Sequence, residues 1–304
     1  MEIKEFAEKV CNAVKKELGK GYRVEFKEVR KNNGVVLHGM LILSRKKNVV
    51  PTIYLDTFLE EYESGVFFSE IVRRLVSIYL RDTPKEKIDM EFFRSFNEVK
   101  DRICYRLIGR KGNEELLGDV PYIEFLDLAL CFYYAYQGDA LGEGSILIHN
   151  SHLELWDTCT AELLRLAQRN TPRLFPWECH SMSSVLKEIL GDEFCEESEE
   201  AACDDLLQED PMWVLSNDRR VQGAVCMLYP GVLDEIAARW EKGIYVLPSS
   251  IHEVILLIDT GRGGAEALKK MIVQVNSTQV APEEILSDSL YYYDFIEKKV
   301  KIIF

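Results

Sequence analysis

PMWVLSNDRRVQGAVCMLYPGVLDEIAARWEKGIYVLPSSIHEVILLIDTGRGGAEALKKMIVQVN, residues 211–276, carries the pattern that decides the fold. PMWVLS (211–216) and VQGAVCMLY (221–229) are apolar runs separated by the polar NDRR (217–220), which reads as a strand pair. Pro230 suits the opening of a helix, and GVLDEIAARW (231–240) follows it. GIYVLPS (243–249) and EVILLID (253–259) form a second strand pair around a short polar turn. AEALKKMIVQVN (265–276) reads as a second helix after the Gly-rich break TGRGG (260–264). The order β-β-α-β-β-α predicts an α+β protein, with antiparallel or mixed sheets and helices packed on one face.

Upstream, RICYRLI (102–108), YIEFLDLALCFYYAY (122–136) and EGSILIHN (143–150) read as strands, and DMEFFRSF (89–96) as helical. Asn150 or Ser151 is positioned to cap the turn into HLELWD, and Thr160 to cap the helix AELLRLAQRN (161–170). Pro172 and Pro176 are expected to stop that helix. MSSVLKEIL (182–190) reads as a further short helix. At the start of the chain, Ile3, Phe6, Val10, Val14 and Leu18 recur at helical steps until Gly19 and Gly21. Three strand-like runs follow: YRVEFKEV (22–29), GVVLHGMLIL (34–43) after the turn signal NNG, and VVPTIYLD (49–56). This is a β-meander, and helices over 57–63 and 69–81 complete the unit, the second with Ser69 as N-cap. The polar TPKEK (83–87) marks a boundary. The expected organisation is 1–84, a middle unit 85–190, an acidic linker 191–210 and a C-terminal unit 211–304.

The linker stands out by charge. GDEFCEESEEAACDDLLQED (191–210) holds ten acids and no base, out of a formal net charge of −14 for the 304-residue chain. Like charges this dense favour a solvated segment. An acidic chain is a poor free-standing nucleic-acid binder, so a nucleic-acid partner is disfavoured. The longest stretches free of Asp, Glu, Lys and Arg, 32–44 and 221–233, are 13 residues each. That is short of the roughly 18 a membrane span needs. The opening MEIKEFAEKV has no apolar core after a basic head, unlike a secretory signal. Eight cysteines occur without a Cys-x-x-Cys pair, mostly inside apolar runs, which fits reduced thiols in a cytoplasmic protein.

The segments NNGVVLHGMLI, VVPTIYLD, KDRICYRLI, PYIEFLDLAL, ILIHNSHLELW, NTPRL and LYPGVL with YVLPSSIHEVIL resemble an uncharacterised bacterial family, domain of unknown function 5688. The resemblance runs from the first strand nearly to the C-terminus. It implies cytoplasmic proteins of Gram-positive anaerobes, often associated with mobile genetic elements, and it implies no activity. A weaker likeness, through AELLRLAQRN and the PSS turn, is to another uncharacterised α+β family. The acidic insert and TGRGG stand apart from the family pattern.

Several constellations bear on function. His149 and His152 form H-x-x-H, which offers two imidazoles to a metal but lacks a third ligand and the H-E-x-x-H order. The architectural alternative has Asn150 and Ser151 capping a helix while His152 packs beside Trp156. The turn Ser249, Ser250, His252 and Glu253 contains the parts of a nucleophilic triad, although neighbours on one turn diverge and no G-x-S-x-G elbow is present. Asn217, Arg219 and Arg220 sit at the adjacent turn, where two guanidinium groups suit an anionic group or simple solvation. Asp56 follows a strand, where it fits an N-cap better than a general base. With no arrangement that satisfies a mechanism, the expectation is a non-catalytic binding or accessory protein without a cofactor, acting on a protein partner. Its contact residues are Asn217, Arg219, Arg220, Ser249, Ser250 and His252. The alternatives are a hydrolase-like enzyme using Ser249, Ser250 and His252, and a metal-binding protein using His149 and His152.

Overall fold

The computed structural model describes residues 1–138, 142–185, 212–248, 250–261 and 264–304. The acidic segment 191–210, Ser249, most of the helix expected over 182–190 and part of TGRGG lie outside the described residues. The architecture is α+β, with three antiparallel sheets among the described residues. The chain divides into two compact units: Met1–Phe93 with Tyr136–Gly144, and Arg94–Ala135 with Ser145–Phe304.

In the first unit, α1 (Ile3–Leu18) leads into the antiparallel sheet β1 (Tyr22–Arg30), β2 (Val36–Ser44) and β3 (Thr52–Tyr54), followed by α2 (Asp56–Glu63) and α3 (Phe68–Asp82). The apolar stripe read in the sequence is buried: Phe6, Val10 and Val14 of α1 pack with Met40 and Ile42 of β2 and with Ile71 and Leu75 of α3. NNG makes the expected reversal, with Asn33 and Gly34 both at positive φ. In this unit two capping expectations fail. α3 starts at Phe68 rather than after Ser69, because the Phe68 ring packs edge-on against Phe6 and Tyr62 and draws the helix start forward. Asp56 is the first helical residue, and its carboxylate accepts both the His38 backbone N–H (2.8 Å) and the His38 ring Nδ1 (2.7 Å).

The second unit opens with α4 (Phe96–Val99). One of its sheets comprises β4 (Ile103–Gly109), β6 (Leu128–Gly138) and β5 (Tyr122–Phe125), with β7 (Gly142–Leu147) paired to β6. The short helix α5 (Glu114–Leu117) precedes β5, and α6 (Asn150–Trp156) and α7 (Thr160–Leu174) follow β7. The other sheet has the order β13-β12-β10-β11-β9-β8, with β8 Trp177–Ser181, β9 Met212–Asn217, β10 Ile244–Leu247, β11 Val254–Ile258, β12 Tyr291–Asp294 and β13 Lys299–Ile302. Helix α8 (Val232–Ala238) precedes β10. Helix α9 (Ala265–Thr278) covers one face of this sheet, where Ile272 and Leu268 meet Tyr245, Leu247, Ile255 and Leu257.

Two expectations are overturned here. VQGAVCMLY is not a strand: Gln222 turns left-handed and Gly223–Leu228 forms a 3-10 helix. The order is therefore strand, 3-10 helix, α8, β10, β11, α9, with β12 and β13 added. Gly223 to Met227 are all buried, so the run has no alternation, and periodicity cannot separate a buried strand from a buried helical turn. α7 runs through Pro172 and ends at Leu174, with Phe175 leaving the helical conformation just before Pro176. A proline inside a helix costs about 3 kcal/mol. Tertiary bonds offset that cost: Asn170 Nδ2 donates to the carbonyls of Lys100 (2.8 Å) and Ile103 (3.0 Å), and Thr171 Oγ1 accepts the Tyr105 N–H (3.2 Å).

Candidate functional site

Antiparallel pairing builds the site. Glu178 of β8 lies opposite Ser216 of β9, and Val254 of β11 lies opposite Leu215, which sets Glu253 beside Ser216. One face therefore carries a polar row, Glu178, Ser216 and Glu253. The next row on that face is His180, Val214 and Ile255. These residues line a groove of about 330 Å³, together with Met182, Val185, Asn217 and Arg220. His180 Nε2 lies 3.1 Å from Glu178 Oε2.

The same pairing joins the two turns singled out in the sequence. Asn217 is buried and organises its own turn: its Oδ1 accepts the N–H groups of Arg219 (3.1 Å) and Val221 (3.3 Å), and its Nδ2 donates to the Val221 carbonyl (2.9 Å). Ser216 Oγ donates to the His252 carbonyl (2.8 Å), and the Gln222 N–H donates to His252 Nδ1 (3.3 Å). Gly223 makes the approach possible, since a Cβ there would stand 2.6 Å from the His252 carbonyl oxygen and 2.7 Å from the Asn217 nitrogen. Arg220 lines the groove, whereas Arg219 is outside its lining and lies 3.9 Å from the Asp218 carboxylate.

The turn does not set Ser250 and His252 against each other as nucleophile and base. Ser250 Oγ accepts the His252 backbone N–H (3.0 Å), while the His252 ring has its Nδ1 on the Gln222 amide and its Nε2 3.4 Å from Glu284. With Nδ1 accepting from an amide, neutral His252 carries its proton on Nε2. A base for a serine needs a ring nitrogen aimed at the hydroxyl. Burial pushes the Glu253 carboxyl above its ordinary range, against the opposing pull of His252 and a Ser250 hydrogen bond. A raised carboxyl favours the protonated folded state, so its contribution is present at low pH and lost as pH rises through the folded pKa. Glu253→Gln is accordingly expected to match or exceed the wild-type melting temperature at pH 7.5. That advantage should shrink as pH falls towards 5, and an advantage that grows on acidification would contradict the burial of this carboxyl.

The H-x-x-H pair serves the local architecture. His149, rather than Asn150 or Ser151, occupies the N-cap of α6. Its backbone N–H donates to His152 Nδ1 (2.9 Å), and its own Nδ1 meets Asp119 Oδ2 (2.7 Å). His152 stacks on Trp156 with ring centroids 5.5 Å apart. Burial, with His149 beside it, lowers the His152 pKa and favours the neutral ring whose Nδ1 accepts that amide. Among the described residues no group of three or more His, Cys, Asp or Glu is placed to hold a metal ion. Also among the described residues, no helix is long and apolar enough to cross a membrane.

The family of unknown function DUF5688 matches residues 3–295, which covers most of both units and every strand lining the groove. The chain belongs to this family. No curated protein and no solved structure matches the chain. Within the matched span, the site residues that sequence reasoning missed are Glu178, His180, Met182, Val185, Val214, Ser216 and Ile255. The signal for the first two was the alternation in WECHS just after Pro176; Val214 and Ile255 lie in strands that were recognised, but their shared face depends on the pairing.

Proposed function

We propose that the protein is a non-catalytic binding or accessory protein of the bacterial cytoplasm that holds an extended segment of a protein partner in the groove over β8, β9 and β11. The observation that carries this reading is the fastening of the Asn217–Gln222 and Ser250–Glu253 turns around one trough with a polar row beside an apolar one. Strand β8 lies at the edge of its sheet among the described residues, and an edge strand accepts an added extended peptide through its backbone groups. Alternate side chains of such a peptide would enter the groove. A basic one there would meet Glu178 and Glu253.

A photo-crosslinking residue in place of His180, compared in cells with one in place of the 90% exposed Ile296, tests the reading. The expected result is one partner joined at position 180, absent at 296 and lost when Glu253→Lys is added. Equal capture at both positions would count against the groove. Ester or amide turnover abolished by Ser250→Ala or His252→Gln would overturn the non-catalytic assignment.

A further inference from the structure

Strand β4 is buried at every residue except Arg106, which is half-buried at its centre. Register places Arg106 opposite Cys131, and Cys131 opposite Tyr122, so the three form a row on one sheet face. The rows on either side of Arg106 hold Cys104 with Tyr133, and Ile108 with Ala129, all buried. The side chain thus lies between two apolar clusters, one around Cys104, Tyr133 and Ala135, the other around Ile108, Leu117 and Cys131.

Among the described residues its guanidinium meets no counter-charge. Nε is sealed from solvent and has no hydrogen-bond partner. Among the described residues no carboxylate or carbonyl bonds the group. Burial lowers its pKa, and the groups near enough to act on it are the Cys131 thiol and the Tyr133 phenol. Burial also pushes the Cys131 thiol up to about 12 and raises the Tyr133 phenol, so both are neutral at physiological pH and, among the described residues, leave the positive charge uncompensated. Nearby arginines behave otherwise. Arg102 Nε donates to the Ala135 carbonyl (2.6 Å), Arg173 donates to the Asp101 carbonyl (2.7 Å), and Arg110 lies 2.9 Å from Glu124. An unpaired cation held against apolar surface destabilises a fold and calls for a reason other than packing. Its terminal nitrogens are not among the sealed atoms, so a ligand can reach the fork.

We infer that Arg106 is an anion-binding residue, taking a small ligand whose carboxylate or phosphate group receives the guanidinium fork on this sheet face. Arginine presents parallel N–H donors that fit two oxygens of either group. The Tyr133 hydroxyl is a second donor in the adjacent row. The site is separate from the groove over β8, β9 and β11, and it stands whether or not a protein partner binds there.

The test uses the full chain with inorganic phosphate and with succinate, each against chloride at equal ionic strength, read by thermal shift and titration calorimetry. Wild type should show saturable binding and a rising melting temperature with at least one of the two, and the one that responds assigns the ligand class. Arg106→Met should melt at or above the wild-type temperature in chloride, since it removes an unpaired buried charge, and should bind about tenfold to a hundredfold more weakly. Arg106→Lys should fold and retain part of the affinity. Two results would overturn the inference: no response of the wild type to either anion beyond chloride, or full binding by Arg106→Lys and Arg106→Met alike. If Arg106→Met does not fold, saturable wild-type binding that is weakened in Arg106→Lys supports the site, and binding unchanged in Arg106→Lys overturns it.

Discussion

Replacing Asp127 by alanine is expected to cost the second unit about 3–5 kcal/mol, among the largest effects of a single polar substitution. Asp127 closes the turn between β5 and β6 and gathers three hydroxyls from one short segment. Its Oδ2 accepts from Ser287 Oγ and from Ser289 Oγ (3.0 Å), and its Oδ1 accepts from the phenol of Tyr291, which is fully buried. Alanine would leave the Tyr291 and Ser287 hydroxyls buried without an acceptor, at about 1–3 kcal/mol each. Asp127→Asn keeps one acceptor oxygen and should lose less. Urea unfolding of both variants, with Tyr291→Phe and the Tyr291→Phe/Asp127→Ala double variant, measures the coupling, and the double variant should cost less than the sum of the two singles. A loss below about 1 kcal/mol in Asp127→Ala would show that the three bonds are not jointly stabilising.

The same logic extends along β12, where three successive tyrosines meet three aspartates: Tyr291 with Asp127, Tyr292 with Asp259 (3.0 Å) and Tyr293 with Asp234. Burial and these carboxylates raise all three phenols, Tyr292 to about 12. The cluster therefore fastens β12 to three separate parts of the unit.

Gly223→Ala is the second large effect, expected to cost about 3 kcal/mol by overpacking. The added methyl would press on backbone atoms on both sides, the His252 carbonyl and the Asn217 amide nitrogen, as well as on Ser216 Oγ. Backbone cannot rotate out of the way as a long side chain can. The substitution also drives apart the two turns that frame the groove, so crosslinking from position 180 should fall in parallel with stability. A variant that melts with the wild type and still crosslinks would show that the turns are not held by this contact.

The first unit was legible because local rules and tertiary packing agree there. The apolar stripe of α1, the alternation of β1 and the turn at Asn33–Gly34 all point to one arrangement, and that arrangement is observed. Where burial is complete, the pattern loses its information: Ala224, Val225, Cys226 and Met227 face a core on all sides, and the segment takes 3-10 rather than strand geometry. Pro172 misled for a different reason, since the partners of Asn170 and Thr171 lie more than sixty residues away in sequence. The candidate site was half visible. Polar turns announced themselves by residue type, but Glu178 and His180 become neighbours of Ser216 and Val214 only through strand pairing.

By itself, the sequence determined the α+β class, the first helix and meander, and the position of the turns, because these follow from side-chain periodicity and from residues with restricted backbone preferences. Only the tertiary structure decided which turns meet, that β8 joins the C-terminal sheet, that His152 and His252 each commit Nδ1 to a backbone amide, and that Arg106 is half-buried without a counter-charge among the described residues. Those outcomes depend on non-local register and desolvation, which are properties of neighbours far apart along the chain.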